Sequence, residues 1–310
     1  MTLALERNTR VIYDPCNKGT DTVTKKKISY QGEPGANSHI ACVNVYPDYQ
    51  PIACDTFEDA FAAVENGQAD LAMIPIENSV AGRVADIHHL LPRSDLNIVG
   101  EYFLPIHHQL LGLEDADIDT IKSVHSHVHA LGQCRNLVGR LGLRAVTEAD
   151  TAGAARIIAQ EGDKTQAAIS SSLAGQIYGL KTLVEDIEDE DHNTTRFVVL
   201  VKNGAYAEQS SNIDNGDIVT SFVFRVRNVP AALYKAMGGF ATNGVNMTKL
   251  ESYQIDGQFS ATQFYADIVG HPDDRPVQLA LEELGFFTDY LRILGVYKAN
   301  PMRASLTGNA

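Results

Sequence analysis

From Ile28 to Val201 the chain alternates short apolar runs with helix-like stretches, and it passes through that alternation twice. Such a chain is confined to an α/β layout, because strands separated by helices pair in a largely parallel sheet that the helices cover. The first series opens with Ile28-Ser29-Tyr30, crosses the turn-rich Gln31-Gly32-Glu33-Pro34-Gly35-Ala36-Asn37 and predicts a helix over Ser38 to Val45. A short strand at Ile52-Ala53-Cys54 precedes a helix ending at Glu65, with Thr56 as N-cap and Asp59 as the acidic end of a capping box. Asn66-Gly67 stops that helix, and Asp70 to Ile76 reads as a mostly apolar strand. The second series begins after the long extended segment Ile98 to Gly112. It predicts a strand at Ile121 to His125, a helix from Val128 to Leu141 and a Thr151-capped helix through Gln160. A strand at Ala167 to Ser170, a helix through Ile177 and a strong strand at Phe197 to Val201 complete it. Two series predict two lobes with parallel-type sheets and a cleft between them.

The pattern changes after Lys202. Residues 203–216 are rich in Gly, Ser and Asn and lack apolar periodicity, so they read as a linker. A strand (Thr220 to Val226), a helix (Ala231 to Asn243) and a hairpin about Asp256-Gly257 follow. A helix (Val277 to Gly285) and a strand (Tyr290 to Tyr297) end the series, and the order βαββαβ is ferredoxin-like. The expected division is an N-terminal extension over 1–27, a bilobal region over 28–202 with its second lobe at about 104–187, the linker, a C-terminal domain over 217–300 and a tail over 301–310.

With 310 residues, 44% of them hydrophobic, the chain can bury a sizeable core in two or three domains. Its net charge of -14 argues against a nucleic-acid partner, since phosphate contacts need clustered Lys and Arg and the one basic run, Lys25-Lys26-Lys27, is short. No signal-peptide core and no membrane-length apolar stretch is visible, so no membrane association and a cytoplasmic location are expected. Cys16, Cys42, Cys54 and Cys134 form no CxxC pair and read as reduced thiols.

Three polar junctions carry the chemistry. Glu77-Asn78-Ser79-Val80-Ala81-Gly82 follows a buried strand and precedes the helix-like Val84 to Leu91. Ligands of α/β sheets bind beyond the carboxyl ends of strands, and free amides at a helix start favour an anion. Asn78 and Ser79 add donors, although a plain helix cap is an equal reading. Ser126-His127-Val128-His129 opens the helix that carries Gln133, with Ser126 as a cap and His129 on the surface as the simpler reading. His125, His127 and His129 are not expected to bind metal, because helical residues two apart diverge and no Asp or Cys lies at ligand spacing. In Asn193-Thr194-Thr195-Arg196-Phe197 a polar cluster enters an apolar strand. Thr195 brings a hydroxyl and Arg196 a planar fork suited to carboxylate, though an Arg at a strand start is commonly a surface residue.

Together these segments resemble the prephenate dehydratase family. The signature runs Tyr178-Gly179-Leu180, Leu183, Asp189, Thr195-Arg196-Phe197 and Val198-Val199-Leu200. Glu77-Asn78-Ser79 with Gly82 also matches, and Tyr30-Gln31-Gly32 with Gly35 and Ser38 matches the family's opening loop less tightly. The likeness covers about residues 28–298. It implies an active-site cleft between the lobes, where prephenate loses its ring carboxylate as carbon dioxide and its ring hydroxyl as water, giving phenylpyruvate for phenylalanine synthesis. Aromatisation drives that reaction, so no cofactor is implied. The resemblance implies catalytic roles for Thr195, Glu77, Asn78 and Gln133, with Thr195 serving the departing hydroxyl and Glu77 or a bound water supplying the proton. It implies substrate contacts from Arg196, Phe197, Ser79, Gly82, Ser126, His127 and Ser38. The family often reads Ser-His-Pro-Gln where this chain has Ser126-His127-Val128-His129, a departure at the substrate contact credited to that Gln.

The βαββαβ segment resembles an ACT domain, a module that binds amino acids at subunit interfaces. The family's Gly-Ala-Leu-Val motif appears as Ala231-Ala232-Leu233-Tyr234, and Glu-Ser-Arg-Pro as Glu251-Ser252-Tyr253-Gln254 after Met247-Thr248-Lys249-Leu250. This implies L-phenylalanine as an allosteric effector held by Asn228, Ala231, Ala232, Leu233, Glu251 and Ser252, and a homodimer or homotetramer. Bulk at Ala231 narrows the pocket and the lost Arg removes a charged fork. Two other functions are compatible: arogenate dehydratase, and a non-catalytic amino-acid-binding regulator. The absence of a helix-turn-helix or basic patch argues against a DNA-binding form of the latter.

Overall fold

The computed structural model describes residues 25–204, 218–254 and 263–306. Most of the expected N-terminal extension and linker, the hairpin turn at Asp256-Gly257 and the end of the tail lie outside the described residues.

The first lobe contains β1 (Lys27–Gln31), α1 (Asn37–Val45), β2 (Gln50–Cys54), α2 (Phe57–Glu65), β3 (Leu71–Asn78), the two-residue β4 (Gly82–Arg83), α3 (Ala85–Leu90) and β5 (Leu96–Pro105). The second lobe contains β6 (Gln109–Gly112), β7 (Ser123–Ser126), α4 (Val128–Gln133), α5 (Arg135–Arg140) and β8 (Arg144–Thr147). It continues with α6 (Thr151–Glu161), β9 (Gln166–Ser170), α7 (Ser172–Tyr178) and β10 (Lys181–Val184), and β11 (Thr194–Lys202) returns the chain to the first lobe. β1 pairs in parallel with β2 and β3, but β11 is antiparallel to both β3 and β5. In the second sheet, β10-β6-β9-β7-β8, only the β7 pairings are parallel. Both sheets are therefore mixed, not parallel-type. In the first lobe the cause is the crossing: β5 carries the chain out and β11 brings it back, so the two run side by side in opposite directions.

The C-terminal part is β12 (Ile218–Val226), α8 (Ala232–Thr242), β13 (Met247–Tyr253), β14 (Gln263–Val269), α9 (Arg275–Phe287) and β15 (Thr288–Lys298). The order is βαββαβ in an antiparallel sheet β13-β14-β12-β15. One face of this sheet packs on α8 and α9 through Phe222, Phe224, Phe240 and Leu284. On the other face Val219, Val223, Tyr265, Leu294 and Tyr297 share one core with Ile74, Ile76, Ile87, Val198 and Leu200 of the first lobe. β15 also meets β5 at Gly295 and Ile98, so one sheet runs through both units. Only glycine fits there, because a Cβ on residue 295 would stand 2.2 Å from the Ile98 carbonyl oxygen.

Local details both follow and depart from the sequence reading. Thr56 Oγ1 caps α2, accepting from the Asp59 amide at 3.1 Å. The helix expected over 128–141 breaks at Cys134 into α4 and α5, and the Asp189 carboxylate accepts from the Arg135 and Asn136 amides at the start of α5. Asp150 rather than Thr151 caps α6, because its carboxylate reaches the Gly153 amide at 2.7 Å. The tail includes a helix, α10 (Met302–Leu306), whose Arg303 pairs with Glu101 of β5.

α3 is wedged at the seam between the first lobe and the C-terminal sheet. His88 lies buried against Tyr265 and Tyr253, with ring centroids 5.2 and 6.0 Å away, and neither ring nitrogen has a hydrogen-bond partner among the described residues. Burial, reinforced by Lys249, lowers its pKa from 6.5 to about 4. The unfolded chain therefore binds this proton in a window where the native protein does not. Stability on this account is complete above about pH 6.5 and falls by roughly 2–3 kcal/mol as the pH drops toward 4. Urea unfolding across that window should show a shallower pH slope in His88→Phe than in the parent, whereas equal slopes would assign the effect to other groups.

Candidate active site

The chain crosses between the lobes at residues 106–108 and again at 188–193, and the polar side chains singled out in the sequence meet at this double crossing. Asn78, the last residue of β3, donates through Nδ2 to Thr195 Oγ1 at 2.9 Å and to Asn193 Oδ1 at 2.8 Å. Asn193 is buried and donates to Gln133 Oε1 at 3.0 Å, and the same oxygen pairs with His108 Nε2 at 2.9 Å. A single polar chain, Thr195–Asn78–Asn193–Gln133–His108, thus links the two lobes. Burial holds the His108 imidazole below its ordinary pKa, outweighing the Gln133 hydrogen bond and the nearby Glu188, so it is uncharged at neutral pH. Thr195 Oγ1 accepts from Asn78, and its own proton finds no acceptor among the described residues. Asn193 and His108 escaped the sequence reading. Asn193 opens the Asn193-Thr194-Thr195 cluster and was passed over beside its neighbours, and His108 belongs to no recognisable motif.

The lobes also touch on the opening loop. Glu33 takes a bidentate grip from Arg156 of α6, with contacts of 2.9 to 3.3 Å, and Ser171 Oγ donates to the Gly35 carbonyl at 2.6 Å. Gly35 has φ +94°, and a Cβ there would lie 2.6 Å from the Ala174 backbone, so this approach depends on glycine. Ser38 lies buried in the first turn of α1, whose N-cap position, Ala36, has no capping side chain.

Several predicted site residues are committed to the fold. Glu77 and Asn78 sit within β3, not beyond it, and β4 folds back to pair Asn78 with Gly82, which takes φ +83°. Asn78 Oδ1 accepts from the Val80 and Ala81 amides at 2.9 and 2.7 Å, so the amides expected to face an anion are occupied. Ser79 Oγ donates to the His192 carbonyl at 2.7 Å and accepts from the Thr194 amide at 2.9 Å. Ser126 does not cap α4: it is the buried end of β7 and donates to the Ile169 carbonyl at 2.6 Å, while His127 occupies the N-cap. Phe197 is core, packed with Tyr30, Cys42 and Met73. His125 pairs with Glu148 at 2.9 Å and does not join His127 and His129. Among the described residues one trio, His107, Asp186 and Glu188, has potential metal-ligand atoms within 4.8 Å of one another, with His107 and Asp186 exposed.

Arg196 departs furthest from expectation. It is 2% exposed, and its fork is filled by the protein itself: Nε to Glu101 at 2.8 Å, Nη1 to Glu77 at 2.9 Å and Asp267 at 2.6 Å, and Nη2 to the Tyr297 hydroxyl at 2.9 Å. Four of its five N–H groups are thereby spent inside the protein, and one Nη2 hydrogen has no acceptor among the described residues, so a two-pronged grip on a substrate carboxylate is not on offer. Burial pushes the Glu77 carboxyl up, but Arg196 and Lys249 beside it outweigh that and hold it below its ordinary value. Glu77 is therefore ionised at neutral pH and is a poor proton source. Lys249 also reaches Glu251 at 3.2 Å, which joins the C-terminal motif to β3. A cavity of ≈ 370 Å³ lies beside this cluster, lined by Glu77, Ser79, Thr194, Lys249 and Arg303 among others. Of the other C-terminal motif residues, Ala232 and Leu233 open α8 and pack into the core between it and the sheet, Asn228 is exposed and the Ser252 carbonyl accepts from Arg83. Ala231 adopts φ +59°, a left-handed conformation in which Gly would be unstrained. Replacing Arg196 with Met should cost about 3–5 kcal/mol, because three carboxylates lose a common partner in a dry site. Thermal or urea unfolding checks this, and a loss below about 1 kcal/mol would show the cluster to be solvated.

Two mixed α/β lobes joined at a double crossing, with polar side chains shared across the joint and a βαββαβ unit fused to one lobe, define a two-lobed α/β protein with its candidate site between the lobes. Residues 28–205 match the family model described as prephenate dehydratase, and the chain belongs to that family of lyases. It is 46% identical over 276 residues to the bifunctional N-acyl-homoserine lactone acylase/prephenate dehydratase of Komagataeibacter europaeus, covering 89% of this chain and 97% of that protein. It is 37% identical to arogenate dehydratase/prephenate dehydratase 1, chloroplastic, of Arabidopsis thaliana, over 90% of this chain and 74% of that protein. The crystal structure of prephenate dehydratase in complex with L-Phe from Arthrobacter aurescens aligns with a TM-score of 0.80 at 30% identity, covering 88% of this chain and 90% of that one. Among the described residues no helix is long and apolar enough to cross a membrane.

Proposed function

We propose that this chain converts prephenate to phenylpyruvate, carbon dioxide and water. The observation that carries the reading is the Thr195 hydroxyl, which accepts from Asn78 and keeps an unspent proton at the crossing between the lobes. An accepted hydrogen bond polarises a hydroxyl toward donation, which suits Thr195 to the departing ring hydroxyl. Asn78, Asn193, Gln133 and His108 act as the frame that fixes its direction. Glu77, held ionised, is a positioning residue in this scheme, and water delivers the proton. With Arg196 held by Glu77, Glu101 and Asp267, neutral donors take the substrate carboxylates in this scheme: Ser38 with the uncapped first turn of α1, and His127 at the start of α4. The test is ultraviolet detection of phenylpyruvate from prephenate. Thr195→Ala should lower kcat by about 10²–10⁴-fold with little change in KM or melting temperature, and undiminished turnover would refute the role.

Arogenate differs from prephenate by an amino group in place of the side-chain keto group, and the Arabidopsis relative carries both activities in its name. Turnover of the two purified substrates, compared as kcat/KM, decides the preference. A second activity is favoured by the near full-length likeness to the bifunctional Komagataeibacter protein. Release of free fatty acid from an N-acyl-homoserine lactone tests it independently of the dehydratase assay.

The βαββαβ unit is read as an ACT regulatory domain, following a linker, that binds L-phenylalanine in a homodimer or homotetramer. The L-Phe complex of the Arthrobacter relative supports the effector, and the Glu251–Lys249–Glu77 contacts offer a physical route from motif to site. A cytoplasmic setting suits the free thiols of Cys42, Cys54 and Cys134. Saturating phenylalanine should lower turnover and raise the melting temperature. If it does neither, this unit is structural.

A further inference from the structure

Away from the crossing, a cavity of ≈ 270 Å³ lies between the α3 region of the first lobe and the inner face of the C-terminal sheet. His88, Arg93, Arg225, Tyr253, Gln263 and Tyr290 line it, and among the described residues no carboxylate does. In a chain of net charge -14 this is a local reversal of sign, built from the side chains that suit an oxyanion.

The second observation is independent of charge. Both ring nitrogens of His88, which is 2% exposed, and Arg225 Nε are buried without a hydrogen-bond partner among the described residues. An unsatisfied buried polar group is costly, so three such atoms on residues lining one cavity mark a place for a polar occupant. The guanidinium is also held in place. Arg225 Nη2 donates to Gln263 Oε1 at 3.1 Å, and the group stands over the Tyr290 ring at 5.7 Å. Gln263 is fixed in turn by donating to the Tyr253 hydroxyl. A fork braced on two sides with an empty Nε loses little freedom on binding.

We propose that this cavity binds a small oxyanion, a phosphate or a carboxylate, through Arg225 and Arg93 with His88 as a further donor. The bound anion pins β12, β14 and β15 to α3, and α3 follows directly on the β3–β4 hairpin that carries Asn78 and Ser79. Of the residues expected to hold phenylalanine, Asn228, Ala231, Ala232, Leu233, Glu251 and Ser252 do not line it, whereas Tyr253 and Gln254 at the end of the second motif do, and α8 and α9 cover the opposite face of the sheet.

Titration of the full chain with inorganic phosphate and, separately, with citrate, at constant ionic strength with chloride as control, tests the proposal by calorimetry and thermal shift. Saturable binding with a rise in melting temperature is expected for at least one anion, and the stronger of the two identifies phosphate or carboxylate as the ligand class. Arg225→Gln and Arg93→Gln should each weaken binding by about tenfold or more. The two variants serve as controls for each other if one folds poorly. No saturable response to either anion, or undiminished affinity in the variants that fold, overturns the proposal.

Discussion

A guanidinium buried to 2% exposure cannot be left unpaired, and Arg196 organises its surroundings accordingly. Its partners come from four different strands: Glu77 on β3, Glu101 on β5, Asp267 on β14 and Tyr297 on β15. The excess negative charge is then offset by Arg303 from α10 and Lys249 from β13. For every charge to find its partner, the first lobe and the C-terminal sheet must close on each other in one register. The apolar core shared by Ile74, Val198, Val223 and Leu294 is the other half of that seam.

The same strand sets the geometry of the candidate site. Successive side chains of a strand point to opposite faces. While β11 sends Arg196 toward the C-terminal sheet, its neighbours Thr195 and Phe197 turn the other way, Phe197 into the core and Thr195 to Asn78. β3 repeats the division, with Glu77 on Arg196 and Asn78 on Thr195. One pair of strands thus presents an ionic face to the C-terminal unit and a neutral, hydrogen-bonding face to the second lobe. Lys249, which touches both Glu77 and Glu251, ties β13 of the C-terminal sheet to β3 of the first lobe.

Much of the fold is legible in the residues alone because its causes are local. The Thr56 and Asp59 cap, the apolar run of β3 and the βαββαβ order after the linker each follow from neighbours a few positions apart. Legibility fails where a local pattern has two outcomes. Glu77 to Gly82 reads as a strand followed by a helix start, yet it forms a hairpin, because Asn78 can satisfy the next amides itself and β4 can pair back on β3. The helix over 128–141 is continuous by periodicity, yet it breaks at Cys134, where the distant Asp189 offers a carboxylate to the exposed amides.

The sequence by itself determined the α/β alternation and the C-terminal unit, and it singled out Thr195, Asn78 and Gln133, which the tertiary structure joins in one hydrogen-bonded chain. Only the tertiary structure decided what Arg196 does. Its carboxylate partners lie 119, 95 and 71 positions away, and no periodicity or motif relates residues at such distances. A planar fork beside a polar cluster is equally suited to a substrate carboxylate and to a protein one. The choice is made by desolvation: once β5, β11 and the C-terminal sheet exclude water from the guanidinium, only fixed internal charges can balance it. The neutral hydrogen-bonded network around Thr195 stands apart from that ionic cluster, at the crossing between the lobes.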